Sequence, residues 1–253
     1  MKIQESRAVV TGAASGLGQA VARHVAAAGG RVSLLDVQEA SGIAAELGPS
    51  ASFLKCDVTS EAEVNRAMEA ARERMGSINL LVNCAGVIGA ARVLGRNGPM
   101  AGEFFTKVVH INLIGTFLCD KAAAAIMQGN APGADGERGL LIHTSSVAAY
   151  EGQIGQAAYA ATKAAVAGMT LPIARELAAF GIRCVSIAPG LFLTPMAAGM
   201  SPELQDSLAR QIPFPARFGR PEEFAQLVAS IAEQPMLNGT TIRLDGAIRM
   251  QPK

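Results

Sequence analysis

Short apolar runs alternate along the chain with longer segments of helical composition. Several of these runs are apolar at consecutive positions, as in Leu80-Leu81-Val82. Uninterrupted apolar runs indicate strands that are buried on both faces, as in parallel sheets. We predict seven strands, at residues 7–11, 31–35, 51–56, 78–82, 139–144, 182–188 and 240–244.

The segments between the strands predict helices. Composition and spacing place them at residues 19–28, 61–75, 157–180 and 222–233, with a further long helix centred on 109–127. Strands that alternate with helices form doubly wound sheets with right-handed crossovers. Because neither a linker nor a shift in composition divides the sequence, we predict one α/β domain over residues 1–253. Its expected architecture is a doubly wound, mostly parallel sheet with helices on both faces.

Three segments interrupt this alternation. Residues 88–102 and 189–215 follow the carboxyl ends of predicted strands, whereas residues 128–138 are polar and predict a surface loop. Ligands of open α/β sheets bind beyond the carboxyl ends of the strands. We therefore expect the first two segments to form substrate walls. Segment 189–215 is suited to a lid or to a subunit contact, because it carries the apolar residues Leu191, Phe192, Leu193, Met196 and Met200.

A glycine-rich turn joins the first strand to the first helix. Its glycines are Gly12, Gly16 and Gly18, spaced G-x-x-x-G-x-G. Gly12 permits a tight turn, Gly16 lets the backbone approach a pyrophosphate, and Gly18 lets the helix pack closely on the strand. The helix N-terminus offers N–H groups and a positive dipole end to phosphates. This context predicts a dinucleotide site.

The second strand ends in an acidic residue, Asp36. A carboxylate at this position can accept hydrogen bonds from both adenosine ribose hydroxyls, and it repels a 2′-phosphate. Its neighbours Leu35, Val37 and Gln38 include no arginine that would bind that phosphate. The sequence therefore favours NAD over NADP.

A tyrosine and a lysine stand four residues apart, with a serine upstream. Tyr159 and Lys163 share one face of the predicted helix, and Ser146 precedes the tyrosine by thirteen residues. A neighbouring ammonium lowers the pKa of a phenol from about 10 toward working pH. We expect Tyr159 to exchange a proton with a carbinol oxygen that Ser146 holds in place.

Composition and charge narrow the classes of function. The chain is 50% hydrophobic, which is enough for a large core, and its formal net charge is +1. We therefore expect neither nucleic acid nor a membrane surface as a partner. The four cysteines form no C-x-x-C pair and indicate a reduced, cytosolic protein, and the three histidines make no convincing metal set, so we expect no bound metal. These residues are Cys56, Cys84, Cys119, Cys184, His24, His110 and His143.

The N-terminal residues bear on localisation. The first predicted strand begins at Arg7, so we expect neither a secretory signal nor a transit peptide. The sequence also predicts no apolar stretch of the roughly 20 residues that a transmembrane helix requires. We predict a cytoplasmic protein.

Several short motifs follow one another along the whole chain: Thr11-Gly12-x-x-x-Gly16-x-Gly18, Asp57-Val58, Asn83-Cys84-Ala85-Gly86, Asn112, Ser146, Tyr159-x-x-x-Lys163 and Pro189-Gly190. In this order they resemble the short-chain dehydrogenase/reductase family. The resemblance implies a seven-stranded Rossmann-type sheet, with helices on both faces, and a homotetramer. It also implies that Asp57 and Val58 lie at the adenine, and that Asn112 supports a proton-relay water beside Lys163. Where the family usually has a second asparagine this chain has Cys84, and we expect the backbone contact to the cofactor to survive.

Longer segments resemble the type II 3-hydroxyacyl-CoA dehydrogenase subfamily, also known as type 10 17β-hydroxysteroid dehydrogenase. The similar segments are 146–159, 171–175, 188–192 and 244–252. Alanine-rich composition suits a bacterial homologue. This resemblance implies that Gln153 and Gln156 face the substrate pocket. It also adds Ser15, Leu17, Cys84, Phe192 and Thr194 to the cofactor site. That site otherwise includes Asn83, Ala85, Gly86, Pro189 and Gly190.

The predicted reaction transfers a hydride between NAD(H) and the 3-hydroxy or 3-keto group of an acyl-CoA. In this hypothesis Tyr159 removes the hydroxyl proton, Lys163 stabilises the phenolate and holds the nicotinamide ribose, and Ser146 positions the substrate oxygen. Arg92, Arg96 and Arg217 are candidate contacts of the coenzyme A phosphates.

Three alternatives to an acyl-CoA dehydrogenase stay open. The apolar segment after Pro189 would equally accept a sterol ring, which suits a hydroxysteroid or secondary-alcohol dehydrogenase. An NADPH-linked ketoacyl reductase is disfavoured by Asp36. A protein that binds NAD(H) without turnover is disfavoured because Asn112, Ser146, Tyr159 and Lys163 are all present.

Overall fold

Seven parallel strands form the central sheet of the protein. The structure is a computed structural model that describes residues 1–96 and 98–252, without the side chains of Met196 and Ala198. These strands are β1 (Arg7–Thr11), β2 (Arg31–Asp36), β3 (Ala51–Lys55), β4 (Leu80–Asn83), β7 (Gly139–Thr144), β8 (Ile182–Pro189) and β9 (Thr241–Leu244), and a separate antiparallel hairpin consists of β5 (Leu94–Gly95) and β6 (Gly98–Pro99). Their order in the sheet is β3-β2-β1-β4-β7-β8-β9. The predicted α/β fold with a parallel sheet is confirmed.

Helices cover both faces of this sheet. They are α1 (Gly16–Ala27), α2 (Ser41–Leu47), α3 (Glu61–Met75), α4 (Gly102–Val109), α5 (Gly115–Met127), α6 (Ala157–Leu177), α7 (Pro195–Ala198), α8 (Pro202–Ala209) and α9 (Pro221–Glu233). On one face, α1 and α9 pack against Ala8 and Val10 of β1; on the other, α3, α5 and α6 share a core with Val9. Consecutive apolar residues of β1 thus enter opposite cores, which explains its uninterrupted apolar sequence.

The winding direction of the sheet reverses at β1. Strands β2 and β3 lie on one side of β1, and β4, β7, β8 and β9 lie on the other. The chain therefore leaves the carboxyl ends of β1 and β4 in opposite directions and leaves a crevice between them, which is where ligands of such sheets bind. Thr11 and Asn83 are register partners at this edge.

Some elements differ from the prediction. The seven-residue helix α2 was not predicted, because so short a segment, with Gly42 inside it, has little helical periodicity. The helix predicted over 157–180 ends at Leu177 and is followed by a 3₁₀ turn and Gly181, whose φ of +69° favours glycine. Segment 189–215 is more than a loop, because it contains α7 and α8, each with proline in its first turn.

The helical run 102–127 is longer than predicted. Helices α4 and α5 join through a π-helical turn, His110–Ile114, into the one helix of the described chain that is long and apolar enough to cross a membrane. The expectation that no stretch reaches this length was therefore wrong. Length and composition alone are a weak indication of a membrane span. Here Asn112, Thr116 and Asp120 are buried and hydrogen-bonded within the protein, as in the core helix of a globular domain.

Candidate active site

A cleft of about 1250 Å³ opens at the carboxyl edge of the sheet, beside the crevice between β1 and β4. It brings together most of the residues predicted for the cofactor and for catalysis. Those that line it are Gly12, Ser15, Gly16, Leu17, Gly18, Asp36, Asp57, Val58, Cys84, Ala85, Gly86, Ser146, Tyr159, Lys163, Pro189, Gly190, Phe192 and Thr194.

The glycine turn after β1 forms one wall of the cleft. Gly12 and Gly16 have φ values of +64° and +54°, in the left-handed region that favours glycine. A Cβ atom on Gly12 would stand 2.7 Å from the amide nitrogen of Ala85, and one on Gly18 would stand 2.3 Å from the carbonyl oxygen of Gly12. The turn is therefore packed too closely for any larger residue. A Cβ on Gly16 would meet Thr194 only at 3.4 Å, so the turn has room on the cleft side, where α1 begins.

Thr11 connects this turn to the loop after β4. Its hydroxyl oxygen accepts hydrogen bonds from the amides of Cys84 and Ala85, both at 3.1 Å. Burial raises the pKa of the Cys84 thiol to about 11, although Thr144 and Lys163 act in the opposite direction. The thiol therefore stays protonated at neutral pH, and the role of this segment at the cleft is that of a backbone wall.

Backbone amides hold the Asp36 carboxylate at the end of β2. One oxygen accepts from the amide of Ala14 and the other from that of Gln38, each at 2.9 Å. Asp36 does not cap the next helix, since α2 has Ala40 at its N-cap. The carboxylate therefore stands fixed at the cleft, with lone pairs left to accept hydrogen bonds from a bound dinucleotide.

The loop after β3 is equally ordered. The Asp57 carboxylate accepts from the amide and the hydroxyl of Thr59 at 2.9 and 2.8 Å, and the Asp57 amide donates to Glu63 at 2.9 Å. Val58 is buried against Gly115, where a Cβ would come within 2.6 Å of a Val58 methyl group. The small residue at the start of α5 thus lets this loop reach the cleft.

Tyr159, Lys163 and Ser146 meet at the floor of the cleft. The lysine Nζ lies 5.8 Å from the centre of the Tyr159 ring and donates to the carbonyl oxygen of Thr144 at 2.7 Å. The backbone of Lys163 is held in turn, because the Ser145 hydroxyl donates to its carbonyl at 2.8 Å. The end of β7 therefore positions the lysine at both its backbone and its ammonium.

The ionisation of Tyr159 and Lys163 differs from the prediction. Burial raises the pKa of Tyr159, and the hydrogen bond with Ser146 acts in the opposite direction. Burial also lowers the pKa of Lys163, to about 8. The expected lowering of the tyrosine pKa by Lys163 is absent, because the ammonium is directed at the Thr144 carbonyl and desolvation dominates. The phenol keeps its proton at neutral pH and is ready to donate it.

Two predicted residues support the cleft without lining it. The buried Asn112 side chain accepts from the amide of Val87 at 2.8 Å and donates to the Val87 carbonyl and to Thr162 at 3.0 and 3.1 Å. Its amide group thus holds the segment after Gly86 against α6. Asn83 is buried and donates to Asp120 at 2.8 Å.

Gln153 and Gln156 are placed differently from the prediction, outside the residues that line the cleft. They hydrogen-bond each other, and Gln153 also donates to the Gln251 carbonyl at 3.1 Å. The neighbouring amide of Ile154 donates to the Pro252 carbonyl at 3.0 Å. The two glutamines therefore join the loop before α6 to the C-terminal segment.

The arginines proposed for the coenzyme A phosphates are dispersed. Arg217 forms a bidentate ion pair with Glu223, with distances of 2.6 and 2.9 Å, so its guanidinium is already bound to a carboxylate. Arg92 and Arg96 are exposed beside the β5–β6 hairpin and do not line the cleft.

Several residues of the cleft were missed in the sequence. Val87 was not predicted, although Ile88 beside it belongs to the expected substrate wall 88–102. Lys107 and His110 come from the long helix. Only tertiary packing brings that helix to the cleft, so the sequence carries no signal for them. Of the apolar residues predicted for the loop after β8, Leu191, Phe192 and Met200 line the cleft, whereas the Met196 side chain lies outside the described structure. Within residues 1–96 and 98–252, no three acidic, cysteine or histidine side chains could hold a metal ion.

Known proteins are similar to this chain in sequence and in fold. The family model described as short chain dehydrogenase matches residues 6–205. The 3-hydroxyacyl-CoA dehydrogenase type-2 of Drosophila melanogaster is 48% identical over 99% of this chain and 100% of its own length, and that of Homo sapiens is 47% identical over 97% and 95%. A crystal structure of 3-hydroxyacyl-CoA dehydrogenase type-2 from Mycobacterium avium superposes with a TM-score of 0.92 at 41% identity, covering 97% of this chain and 96% of that one. The chain therefore belongs to the short-chain dehydrogenase family and is a nicotinamide-dependent oxidoreductase.

Proposed function

We propose that this protein is an NAD-dependent dehydrogenase that interconverts the 3-hydroxy and 3-keto forms of an acyl-CoA. The observation that carries the proposal is the similarity to 3-hydroxyacyl-CoA dehydrogenase type-2 proteins, at 47% to 49% identity over nearly the whole chain. The cleft supplies the groups that this reaction needs, because Ser146, Tyr159 and Lys163 meet in it.

Asp36 supports NAD as the cofactor rather than NADP. Its carboxylate is fixed at the cleft by two backbone amides and would repel a 2′-phosphate. The glycine turn and the N-terminus of α1 would hold the pyrophosphate, and the loop that contains Asp57 and Val58 would border the adenine. When bound there, the nicotinamide supplies or accepts the hydride.

The side chains at the floor of the cleft manage the proton. In the direction of reduction, Tyr159 donates its phenolic proton to the substrate oxygen, and in oxidation it takes that proton back. Ser146 holds the same oxygen through its hydroxyl. Lys163, with a pKa of about 8, is largely cationic at neutral pH and stabilises the phenolate that forms. The raised pKa of Tyr159 fits the donating role.

The walls of the cleft are suited to an apolar acyl group. Val87, Ile88, Leu191, Phe192 and Met200 contribute apolar surface to the same cleft as Tyr159. These side chains would accept a fatty acyl chain or the rings of a steroid, so the assay must discriminate between the two.

Turnover assays test the proposed function directly. NADH consumption is measured with acetoacetyl-CoA and with a steroid ketone, and both are repeated with NADPH. We expect fast turnover of the thioester with NADH and little with NADPH. Turnover of the steroid alone would assign the enzyme to the alcohol and steroid branch, and binding of NADH without turnover of either would contradict the catalytic proposal.

A homotetramer in the cytoplasm is the proposed state of the enzyme. Phe105, Ile114 and Phe117 expose 38%, 39% and 48% of their surface along the long helical run, which suits a contact between subunits. Light scattering coupled to gel filtration would give four times the chain mass for a tetramer, and a monomer mass at micromolar concentration would contradict it. The cytoplasmic location stays a prediction.

A further inference from the structure

A histidine that the proposed chemistry does not use is completely buried behind the catalytic floor. His143 lies in β7, one residue before Thr144, and has 0% exposure. Its Nε2 is 2.9 Å from Asp120 of α5, and its Nδ1 is 3.1 Å from the hydroxyl of Thr170 in α6. One side chain thus contacts both helices that pack on this face of the sheet near the cleft.

The hydrogen bonds around the ring fit an imidazolium. The Asp120 carboxylate oxygens are acceptors, so Nε2 carries a proton. The Thr170 hydroxyl lies 3.0 Å from the carbonyl of Val166, and when it donates there its oxygen is free to accept from Nδ1. In this arrangement both ring nitrogens donate, and the pair formed with Asp120 is a buried ion pair.

The charges around the ring are consistent with this assignment. Burial alone would lower the pKa of His143, but the Asp120 carboxylate outweighs it and, with Cys184 of β8, raises the pKa to about 10. In the described chain, Asp120 and Cys184 are the titratable groups that act on His143, and the pKa of Cys184 is itself raised by burial. The direction of this shift favours the charged pair at neutral pH.

The ion pair is joined to both loops that form the cleft floor. The second oxygen of Asp120 accepts from Asn83, which is the register partner of His143 and immediately precedes Cys84. On the other side, Thr144 follows His143 and its carbonyl accepts from the Lys163 ammonium at 2.7 Å. The ends of β4 and β7 are thus fixed by one group of buried side chains.

We propose that His143 is a positioning residue of the dehydrogenase: as an imidazolium paired with Asp120, it fixes the end of β7 and so the carbonyl that holds Lys163. The inference rests on the proposed function, because Lys163 matters only if the site is catalytic. Because the pair has no net charge, loss of His143 alone would leave the buried Asp120 charge without a partner.

The protonation of His143 can be measured on the wild-type protein. The sequence contains three histidines, and the other two, His24 and His110, are solvent-accessible. At pH 8 an unperturbed histidine, with a pKa of about 6.5, is mostly neutral. We expect a long-range ¹H–¹⁵N correlation spectrum at this pH to show the His143 ring, assigned by its absence in His143→Asn, as an imidazolium. A neutral His143 ring would overturn the assignment, whatever the activity of the enzyme.

Variants test the positioning role. His143→Asn leaves the Asp120 charge without its partner, and we expect kcat to fall about 10- to 100-fold, as for small displacements of catalytic groups. In the oxidation direction, kcat/KM is measured as a function of pH. The unpaired charge disfavours the Tyr159 phenolate, so the ascending limb of this profile should move to higher pH by about half a unit or more. The double variant His143→Asn with Asp120→Asn restores neutrality, so the limb should return to its wild-type position.

Ile142→Val is the matched control, a buried substitution in the same strand but on the opposite face of the sheet. It should lower the melting temperature without moving the pH limb. Wild-type kcat and an unmoved limb in His143→Asn would overturn the positioning role. NADH binding, followed by fluorescence, distinguishes a failure of the positioning role from a failure of the proposed function. A wild-type enzyme that binds NADH and turns over neither substrate would contradict the proposed function. In that case the ¹H–¹⁵N spectrum would still test the imidazolium.

Discussion

Tyr159 is the residue on which the proposed chemistry depends most directly. Its phenol lies beside Ser146 and within reach of the Lys163 ammonium, and burial keeps it protonated. Replacing it with phenylalanine removes the proton donor and leaves the ring in place. We expect Tyr159→Phe to lower kcat by about 10² to 10⁴-fold. Titration of NADH fluorescence should give a dissociation constant close to that of the wild type, and a large loss of binding would show that the residue is mainly structural.

Cofactor preference is also decided at the residue scale. The Asp36 carboxylate is fixed by the amides of Ala14 and Gln38, so its charge stays at the cleft. In Asp36→Ala, both the acceptor for the ribose hydroxyls and the repulsion of a 2′-phosphate are lost. We expect kcat/KM with NADH to fall about tenfold or more, and the preference for NADH over NADPH to shrink, as measured with both cofactors at saturating ketone. An unchanged ratio would mean that Asp36 does not select the cofactor.

At the scale of secondary-structure elements, the close approach of α1 to β1 depends on Gly18, whose side chain is a single hydrogen atom. A Cβ on Gly18 would stand 2.3 Å from the Gly12 carbonyl oxygen, whereas a Cβ on Gly168, in the interior of α6, would have no neighbouring heavy atom within 4 Å in the described structure. Both residues are helical, Gly18 in the first turn of α1 and Gly168 in the interior of α6, so alanine is compatible with the helix at both positions.

Gly18→Ala and Gly168→Ala therefore form a matched pair. We expect Gly18→Ala to destabilise the protein by about 1–3 kcal/mol and to weaken NADH binding, because the helix must move away from the strand. Gly168→Ala should be neutral or more stable by up to about 1 kcal/mol. Urea unfolding checks both changes. Equal effects of the two variants would contradict the close packing at Gly18.

The same scale shows how far the sequence determines the fold and the site. Apolar runs predicted every strand of the main sheet to within two residues at each end, because burial on both faces leaves an unambiguous pattern. The short helix α2 and the hairpin after β4 lack such a pattern. The glycine turn and Asp36 were recognisable because their chemistry is local in the sequence.

Contacts made across the fold were not predictable in this way. Asn112 belongs to the predicted set, yet its side chain is directed at Val87 and Thr162. His143 and Asp120 are 23 residues apart and meet only once β7 and α5 pack together. The pKa of Tyr159 likewise depends on burial, which the four-residue spacing to Lys163 does not reveal.

For the molecule as a whole, His143 should make folding stability depend on pH. Its pKa is raised in the folded protein to about 10, so its contribution is fully present below the unfolded value of about 6.5 and is lost as the pH rises toward 10. Lys163, with its pKa lowered to about 8, acts in the opposite direction above that pH. Comparison with a variant that keeps Lys163 therefore isolates the histidine.

We expect wild type to exceed His143→Asn in unfolding free energy by roughly 2–4 kcal/mol at pH 6, with the difference shrinking toward pH 10. Urea titrations at intervals of one pH unit would measure it. A difference that stays constant from pH 6 to 10 would mean that the histidine is neutral in the folded state.

The contact between the C-terminal segment and the loop before α6 has a consequence for mutagenesis. On the C-terminal side, the carbonyl groups of Gln251 and Pro252 accept the hydrogen bonds, from Gln153 and Ile154. Every amino acid carries such a carbonyl, so an alanine scan of these two positions should leave activity unchanged. Deleting them instead removes both acceptors and leaves the loop between Ser146 and Tyr159 held to the C-terminal region through the contacts of Glu151 with Arg243 and Met250. The segment is thus tolerant of changes in sequence and more sensitive to changes in length.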